Sequence, residues 1–294
     1  MWSHESAEIE ALIADKSNKQ FLPGFPLPET IHPTTDLAAI AEVARDILIA
    51  IPSGGFRKTL VLLKAVMHAN TRVLCATKGI DAEKDQFLHD AIHEVLGKDN
   101  PLAILSGPTF AKEVAAGKPT AAVIASEDAT FLSDCVARFH SPLFRIDTSD
   151  DLTGVEIGGV MKNVIAIAAG IVDGLQFGAN ARAALLTRGF QEMLRIGTQL
   201  GGRQETFTGL SGLGDLILTC LDDQSRNRRF GLALGQGETI DGAEKRIGQA
   251  IEGKRNARLI VELIKQHQLT APIMEKVWDI LQGKVAAKTL AEIF

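Results

Sequence analysis

Five short apolar runs in the first half of the chain alternate with helical stretches, and small or turn-forming residues close the first three. Residues 47–51 are closed by Pro52-Ser53-Gly54-Gly55, residues 72–76 by Thr77-Lys78-Gly79, and residues 102–105 by Ser106-Gly107-Pro108-Thr109; residues 121–125 and 143–146 complete the set. Between them lie helical patterns such as 56–67 and 129–139, with Asp36 and Asp128 where helix N-caps belong. Strand, helix, strand at this spacing constrains the fold to an α/β, doubly wound sheet. Runs that are apolar throughout, not alternating, fit a parallel sheet covered on both faces.

After Asp147-Thr148-Ser149-Asp150-Asp151 the pattern changes. Residues 152–175, 181–200, 228–234, 247–266 and 272–282 carry helical periodicity, with no convincing strand. The expected organisation is a sheet domain over 1–149 and an all-helical domain over 150–294. Residues 21–28 are too proline-rich for a helix interior and are expected to form an extended loop. The longest uninterrupted apolar run, 164–172, is too short to span a bilayer, and no basic segment leads into an apolar one at the start, so no signal or integral membrane association is expected.

Composition removes several function classes. A net charge of −5 argues against nucleic-acid binding as the main task. With no tyrosine in the chain, no mechanism that needs a Tyr hydroxyl as proton donor is open to it. Cys75, Cys135 and Cys220 are odd in number and far apart, which suits buried thiols in a reducing, cytoplasmic setting. His89 and His93 have metal-ligand spacing, but no third ligand suggests itself, so they are expected to face solvent and no metal is expected.

In doubly wound sheets, ligands bind outside the carboxyl ends of the strands. Polar and glycine residues gather there: Pro52-Ser53, Thr77-Lys78-Gly79 and the turn from Ser106 to Thr109. Lys162 lies in Gly158-Gly159-Val160-Met161-Lys162-Asn163, within a small, apolar helix, sharing a face with Ile165, Ala166 and Ala169. It either snorkels to water or sits in a pocket where desolvation lowers its pKa and fits it for proton transfer. The segment from Gly209 to Asp215 lacks the Lys-Ser/Thr ending of a P-loop and is expected to turn the backbone tightly and present Asp215. Ser225-Arg226-Asn227-Arg228-Arg229 reads as a solvated helix start or as a phosphate grip. Gly170, Gly174 and Gly178 allow either core packing or a dimer seam.

Taken in order, Ala76-Thr77-Lys78-Gly79, the segment from Leu105 to Phe110, Gly158 to Asn163, Gly209 to Leu216 and Ser225 to Gly231 closely resemble bacterial NAD(P)-dependent glycerol-3-phosphate dehydrogenases. The resemblance runs along essentially the whole chain. It implies reversible reduction of dihydroxyacetone phosphate to sn-glycerol 3-phosphate with NAD(P)H, a supply of glycerophospholipid backbones, and a homodimer. It implies Lys162 as the proton donor and acceptor. Lys78, Gly107, Thr109, Asp215, Ser225, Arg226 and Asn227 are implied as substrate contacts. His4, Phe21, Lys78, Ala111, Arg226 and Glu252 are implied as cofactor contacts. The competing readings are another lysine-dependent hydroxy-acid dehydrogenase and an inactive, phosphate-binding or dimerising remnant.

Members of that family open with a strand, a Gly-x-Gly-x-x-Gly-type turn and a helix. Among the 27 glycines here only Gly212/Gly214 and Gly235/Gly237 form Gly-x-Gly pairs, and the third positions are Ile217 and Ile240. The expected fold is therefore a Rossmann-type sheet, truncated at its N-terminus, followed by the helical domain. The pyrophosphate fingerprint is absent, and one strand is left with an unpaired edge.

Overall fold

The computed structural model describes residues 1–294. In chain order it contains α1 (Ser6–Asp15), α2 (Leu37–Val43), β1 (Asp46–Ile49), α3 (Phe56–Lys64), β2 (Arg72–Cys75), β3 (Ile80–Asp81), β4 (Gln86–Phe87), α4 (Leu88–Leu96), β5 (Leu102–Ser106), α5 (Ala111–Ala115), β6 (Thr120–Ala125), α6 (Ala129–Phe139) and β7 (Phe144–Ser149). Helices alone follow: α7 (Leu152–Gly174), α8 (Ala179–Gln199), α9 (Gln204–Thr208), α10 (Asp215–Leu221), α11 (Arg226–Gly235), α12 (Ile240–Ile247), α13 (Glu252–Gln266) and α14 (Pro272–Leu281). Asp36 and Asp128 cap α2 and α6, accepting from Ala39 N at 3.0 Å and Phe131 N at 2.8 Å.

The main sheet has the order β1-β2-β5-β6-β7. Its strands split their side chains between two cores, as a period of two requires. Val73, Cys75 and Ile104 pack under α3 and α4, whereas Leu74, Ala103 and Ile124 pack under Phe131 and Cys135 of α6. The sheet is mixed and not wholly parallel: β6 runs antiparallel to β5, while the other pairs are parallel. The link from β5 to β6 holds only the five-residue α5, too little helix for the crossover that a parallel return demands. At the other side β1 has a single neighbour, β2. Leu48 of β1 is 51% exposed, and Val43 of α2 and Val61 and Leu62 of α3 are exposed too. The first residues lie apart from this sheet, Trp2 pairing in parallel with Thr34.

The helical half is built around α7. Asp151 caps it, accepting from Gly154 N at 2.8 Å, and every residue from 154 to 172 is buried. A helix that is apolar all round belongs in a core. By length and apolarity α7 would cross a membrane, but its apolar window is wholly enclosed by this chain. Its closest partner is α11. A Cβ at Gly170 would collide with the Arg228 carbonyl oxygen, and one at Gly231 with that of Ile167. Gly170 and Gly174 therefore serve core packing, with backbone against backbone, and are not a free seam.

One helical expectation needed correction. The periodic stretch 247–266 is a helix only from Glu252, because Gly248 (φ +63) ends a separate helix, α12, that the pattern did not reveal. The hairpin β3–β4 and α1 were also unforeseen; strands of two residues carry too little pattern to read.

Candidate active site

β2 and β5 run parallel, so the turns that follow them lie at the same end of the sheet. Both turns use a glycine in the left-handed region, Gly79 at φ +128 and Gly107 at φ +130, where a side chain would strain the backbone. At Gly107 a Cβ would also approach Ala122 Cα at 3.0 Å. Helix α7 is drawn against this end by its own glycines. A Cβ at Gly158 would lie 2.6 Å from Ser211 O, while Gly159 faces the Ser106 hydroxyl and the Lys78 stem. One turn later α7 delivers Lys162.

Lys162 is 5% exposed and its Nζ lies 2.5 Å from Asp215 Oδ1. Lys78 Nζ reaches the other oxygen of the same carboxylate, Oδ2, at 2.8 Å, and donates to Gly107 O at 3.0 Å. Thr219, one turn after Asp215 on α10, donates its hydroxyl to Oδ1 at 3.3 Å. One buried carboxylate thus sits between two ammonium groups. Burial pushes the Lys162 ammonium down to about 7; Asp215 opposes the shift and the charge on Lys78 adds to it. Burial opposes ionisation of Asp215, but the two lysines hold its carboxyl below the ordinary range. The segment from Gly209 does present Asp215, but not through a tight turn: residues Leu210–Gly214 form a π-helical turn, wider than an α-helical one, that runs directly into α10.

Beside the lysines opens a cleft of about 310 Å³. It is lined by the ends of β1 and β2 (Ala50, Ile51, Pro52, Ala76, Thr77, Lys78) and, from the helical half, by Arg226, Ala250 and Glu252. Arg226 opens α11 and has no carboxylate partner. Asn227 accepts from Gly253 N at 2.9 Å through Oδ1, tying the start of α11 to the start of α13. Burial raises the Glu252 carboxyl above its usual value, against the pull of Arg226, Lys162, Lys78 and Arg255. Ser225 spends its hydroxyl on the α11 cap, accepting from Arg228 N at 3.2 Å. Thr109 donates to Gly107 O at 3.3 Å, and Ala111 begins α5. The starts of α5 and α11 face each other, Gln224 Nε2 donating to Glu113 Oε1 at 3.3 Å.

Of the residues singled out from the sequence, the structure gathers Lys78, Gly107, Lys162 and Asp215 into one contact network, with Arg226 and Glu252 on the adjoining cleft. His4 and Phe21 are not on this cleft. His4 is exposed beside Glu5, and Phe21 lines a separate hollow of about 450 Å³ against α1. Thr219 was missed, although its position four residues after Asp215 on a helix was legible. Asn256 of α13 was not singled out either; its partner, Val160 O, is 96 positions away. His89 is a correction: it does not face solvent. Its Nδ1 lies 2.6 Å from Glu156 Oε2 of α7, and Phe87 stacks on its ring. No cluster of three or more metal-ligating side chains is present.

The comparisons with known proteins converge on one family. The family description "NAD-dependent glycerol-3-phosphate dehydrogenase N-terminus" matches residues 1–132, and "NAD-dependent glycerol-3-phosphate dehydrogenase C-terminus" matches 151–292. A Vibrio cholerae protein named glycerol-3-phosphate dehydrogenase [NAD(P)+] is 49% identical over 97% of this chain and 84% of its own length. One from Shewanella halifaxensis is 47% identical over 100% of this chain and 87% of its own. The crystal structure of glycerol-3-phosphate dehydrogenase from Coxiella burnetii superimposes with a TM-score of 0.96 at 44% identity, covering 99% of this chain and 89% of that one. A ketopantoate reductase from Ralstonia eutropha, at 15% identity and a TM-score of 0.61, shares the fold. With both halves matched and nearly half of the aligned residues identical to those of its relatives, this chain belongs to the NAD-dependent glycerol-3-phosphate dehydrogenase family.

Proposed function

We propose that this chain interconverts dihydroxyacetone phosphate and sn-glycerol 3-phosphate with NAD(P)H, a reaction that feeds glycerophospholipid synthesis. The observation that carries the reading is the buried Lys162–Asp215–Lys78 cluster beside a strand-end cleft. The residues present fit the nicotinamide end of the cofactor. The cleft lies at the carboxyl ends of parallel strands, where such ligands bind, and two buried polar atoms near the lysines, Ser106 Oγ beside Gly159 and Asn256 Oδ1 beside Gly79, lack hydrogen-bond partners. When bound, the cofactor supplies a hydride to the carbonyl carbon. Lys78, Arg226 and Glu252 would hold it, and Ala111, at the start of α5, is proposed as a further contact; His4 and Phe21 are proposed for its distant, adenosine end.

The protein's own part is to position the substrate and manage a proton. In the reduction direction the Lys162 ammonium gives its proton to the carbonyl oxygen and becomes a neutral amine; in oxidation the amine takes the hydroxyl proton back. Asp215 stays ionised throughout and holds both lysines in place. Arg226 and Asn227, at the start of α11, offer N–H donors to the phosphate. Gly107 and Thr109 close the substrate side from the β5 turn, and Ser225 contributes by fixing the α11 start. Fixing both ends of a small substrate supplies much of the rate acceleration.

The sheet half over 1–149 is proposed as the nucleotide-binding domain and the helical half over 150–294 as the substrate and dimerisation domain. The half-exposed Ile217 and Leu221, on one face of α10, offer apolar area for a homodimer. Three buried free thiols support a cytoplasmic setting, and the enclosure of α7 by the rest of the chain supports the absence of integral membrane association. The test is the oxidation of NADH and NADPH by the purified full chain on adding dihydroxyacetone phosphate. Turnover with this substrate, and none with 2-keto acids, is the expected result. Turnover with 2-keto acids alone would reassign the chain to the hydroxy-acid dehydrogenases.

A further inference from the structure

Asn256 on α13 is fully buried, at 0% exposure. Its Nδ2 donates to Val160 O at 3.1 Å, two residues before Lys162 on α7. Its Oδ1 has no partner, and it lies 3.7 Å from the position that a Cβ would take on Gly79, the residue after Lys78. A single side chain thus stands between the two backbone segments that carry the lysines. A fully buried amide in an apolar setting is unfavourable unless it is hydrogen-bonded, and here half of it is not. The neighbouring turns of α7 have other restraints: Gly158 lies on Ser211, and Gly159 on Ser106. At Val160 the restraint is Asn256.

We propose that Asn256 is a positioning residue that keeps Lys162 and Lys78 at their close approach across Asp215 by tying α7 to α13 and packing against the Gly79 turn. It touches no reacting atom in this scheme. It acts through the Val160 carbonyl, which it pulls toward α13, and through its volume against Gly79. Its catalytic consequence rests on Lys162 being the proton donor proposed above, but the arrangement itself does not depend on which substrate the enzyme takes.

The test needs neither substrate nor cofactor. The full chain, labelled with ¹³C-lysine, is titrated by NMR, and the Lys162 signal is identified by its loss in Lys162→Arg. Asn256→Leu keeps the bulk of the side chain but removes the tether, and Asn256→Ala removes both. If Asn256 sets the lysine separation, Asn256→Leu leaves Lys162 on Asp215 but takes it away from Lys78, and the Lys162 midpoint rises by about one unit, a tenfold fall in neutral amine at a given pH below it. Asn256→Ala, which also admits water, rises at least as far. A folded Asn256→Leu protein with the wild-type Lys162 midpoint would overturn the proposal and leave Asn256 as packing alone. Because the readout is titration, failure of the dehydrogenase assay leaves this test intact, and the reverse also holds.

Discussion

Helix α7 carries two buried charge pairs six residues apart, Glu156 with His89 and Lys162 with Asp215, and they are put to opposite uses. At Glu156 both carboxylate oxygens are engaged by neighbours: one takes the Leu88 N–H, the other takes His89 Nδ1 and, at 3.3 Å, the His89 N–H. The carboxylate thereby caps α4 and staples the sheet half to α7. At Lys162 the account is left open. Two ammonium groups share one carboxylate, and a cleft lies alongside. Burial is common to both pairs and marks neither as a site. A surplus charge next to a space for a ligand is what separates chemistry from architecture.

The comparison is broken most directly by Lys162→Met. Removing the proton donor is expected to lower turnover by about a thousandfold, within the range for general acid–base groups, while substrate affinity changes far less. Rates near wild type, measured with the folded variant under saturating substrate, would reject Lys162 as the acid. Glu156→Ala is expected to act on stability instead. It strips two α4 N–H groups and His89 of their acceptor, for a loss of about 3 kcal/mol in denaturant unfolding. A variant that melts like wild type but turns over slowly would show that the two pairs are not separate.

Acid titration sharpens the same contrast with a smaller effect. With Lys162 near pH 7, reduction should slow about tenfold per unit as pH rises above that value, and oxidation should quicken through it, because one direction needs the ammonium and the other the amine. At His89 burial works against the charge, but Glu156 outweighs it and holds the imidazole above its ordinary value. The stability that His89 adds is therefore complete below the unfolded pKa of about 6.5 and lost as pH rises through the higher folded value. His89→Gln should flatten the pH dependence of unfolding and leave the pH–rate profile in place. A shifted rate profile in that variant would couple the two pairs.

The sequence pattern reached far into this fold. All five strands of the main sheet lay on the apolar runs, and the extent of α6 was read to the residue, because runs bounded by turn residues and an Asp cap are local signals. The direction of β6 was not legible, since orientation depends on how much helix fills a link, and α5 is shorter than its surroundings suggest. Lys162 stood out as a charge inside an apolar helix, but which of its two fates applied rested on Asp215, 53 positions away. His89 was misjudged for a like reason: its partner Glu156 is 67 positions distant, and nothing nearby in the chain announces it. Local periodicity reports a face; it does not report what comes to lie against that face.

The glycine contact between α7 and α11 reaches beyond packing. Arg226 and Asn227 open α11, Lys162 rides on α7, and with Gly170 and Gly174 set against Gly231 and Gly235 the two helices touch backbone to backbone. No intervening side chain can flex or be trimmed to change their spacing. On the proposed roles, the pair works as a caliper of fixed span, with the phosphate grip on one jaw and the proton donor on the other. Substrates are then measured by the distance from phosphate to carbonyl oxygen, and a keto phosphate one carbon longer would bind with its oxygen past Lys162.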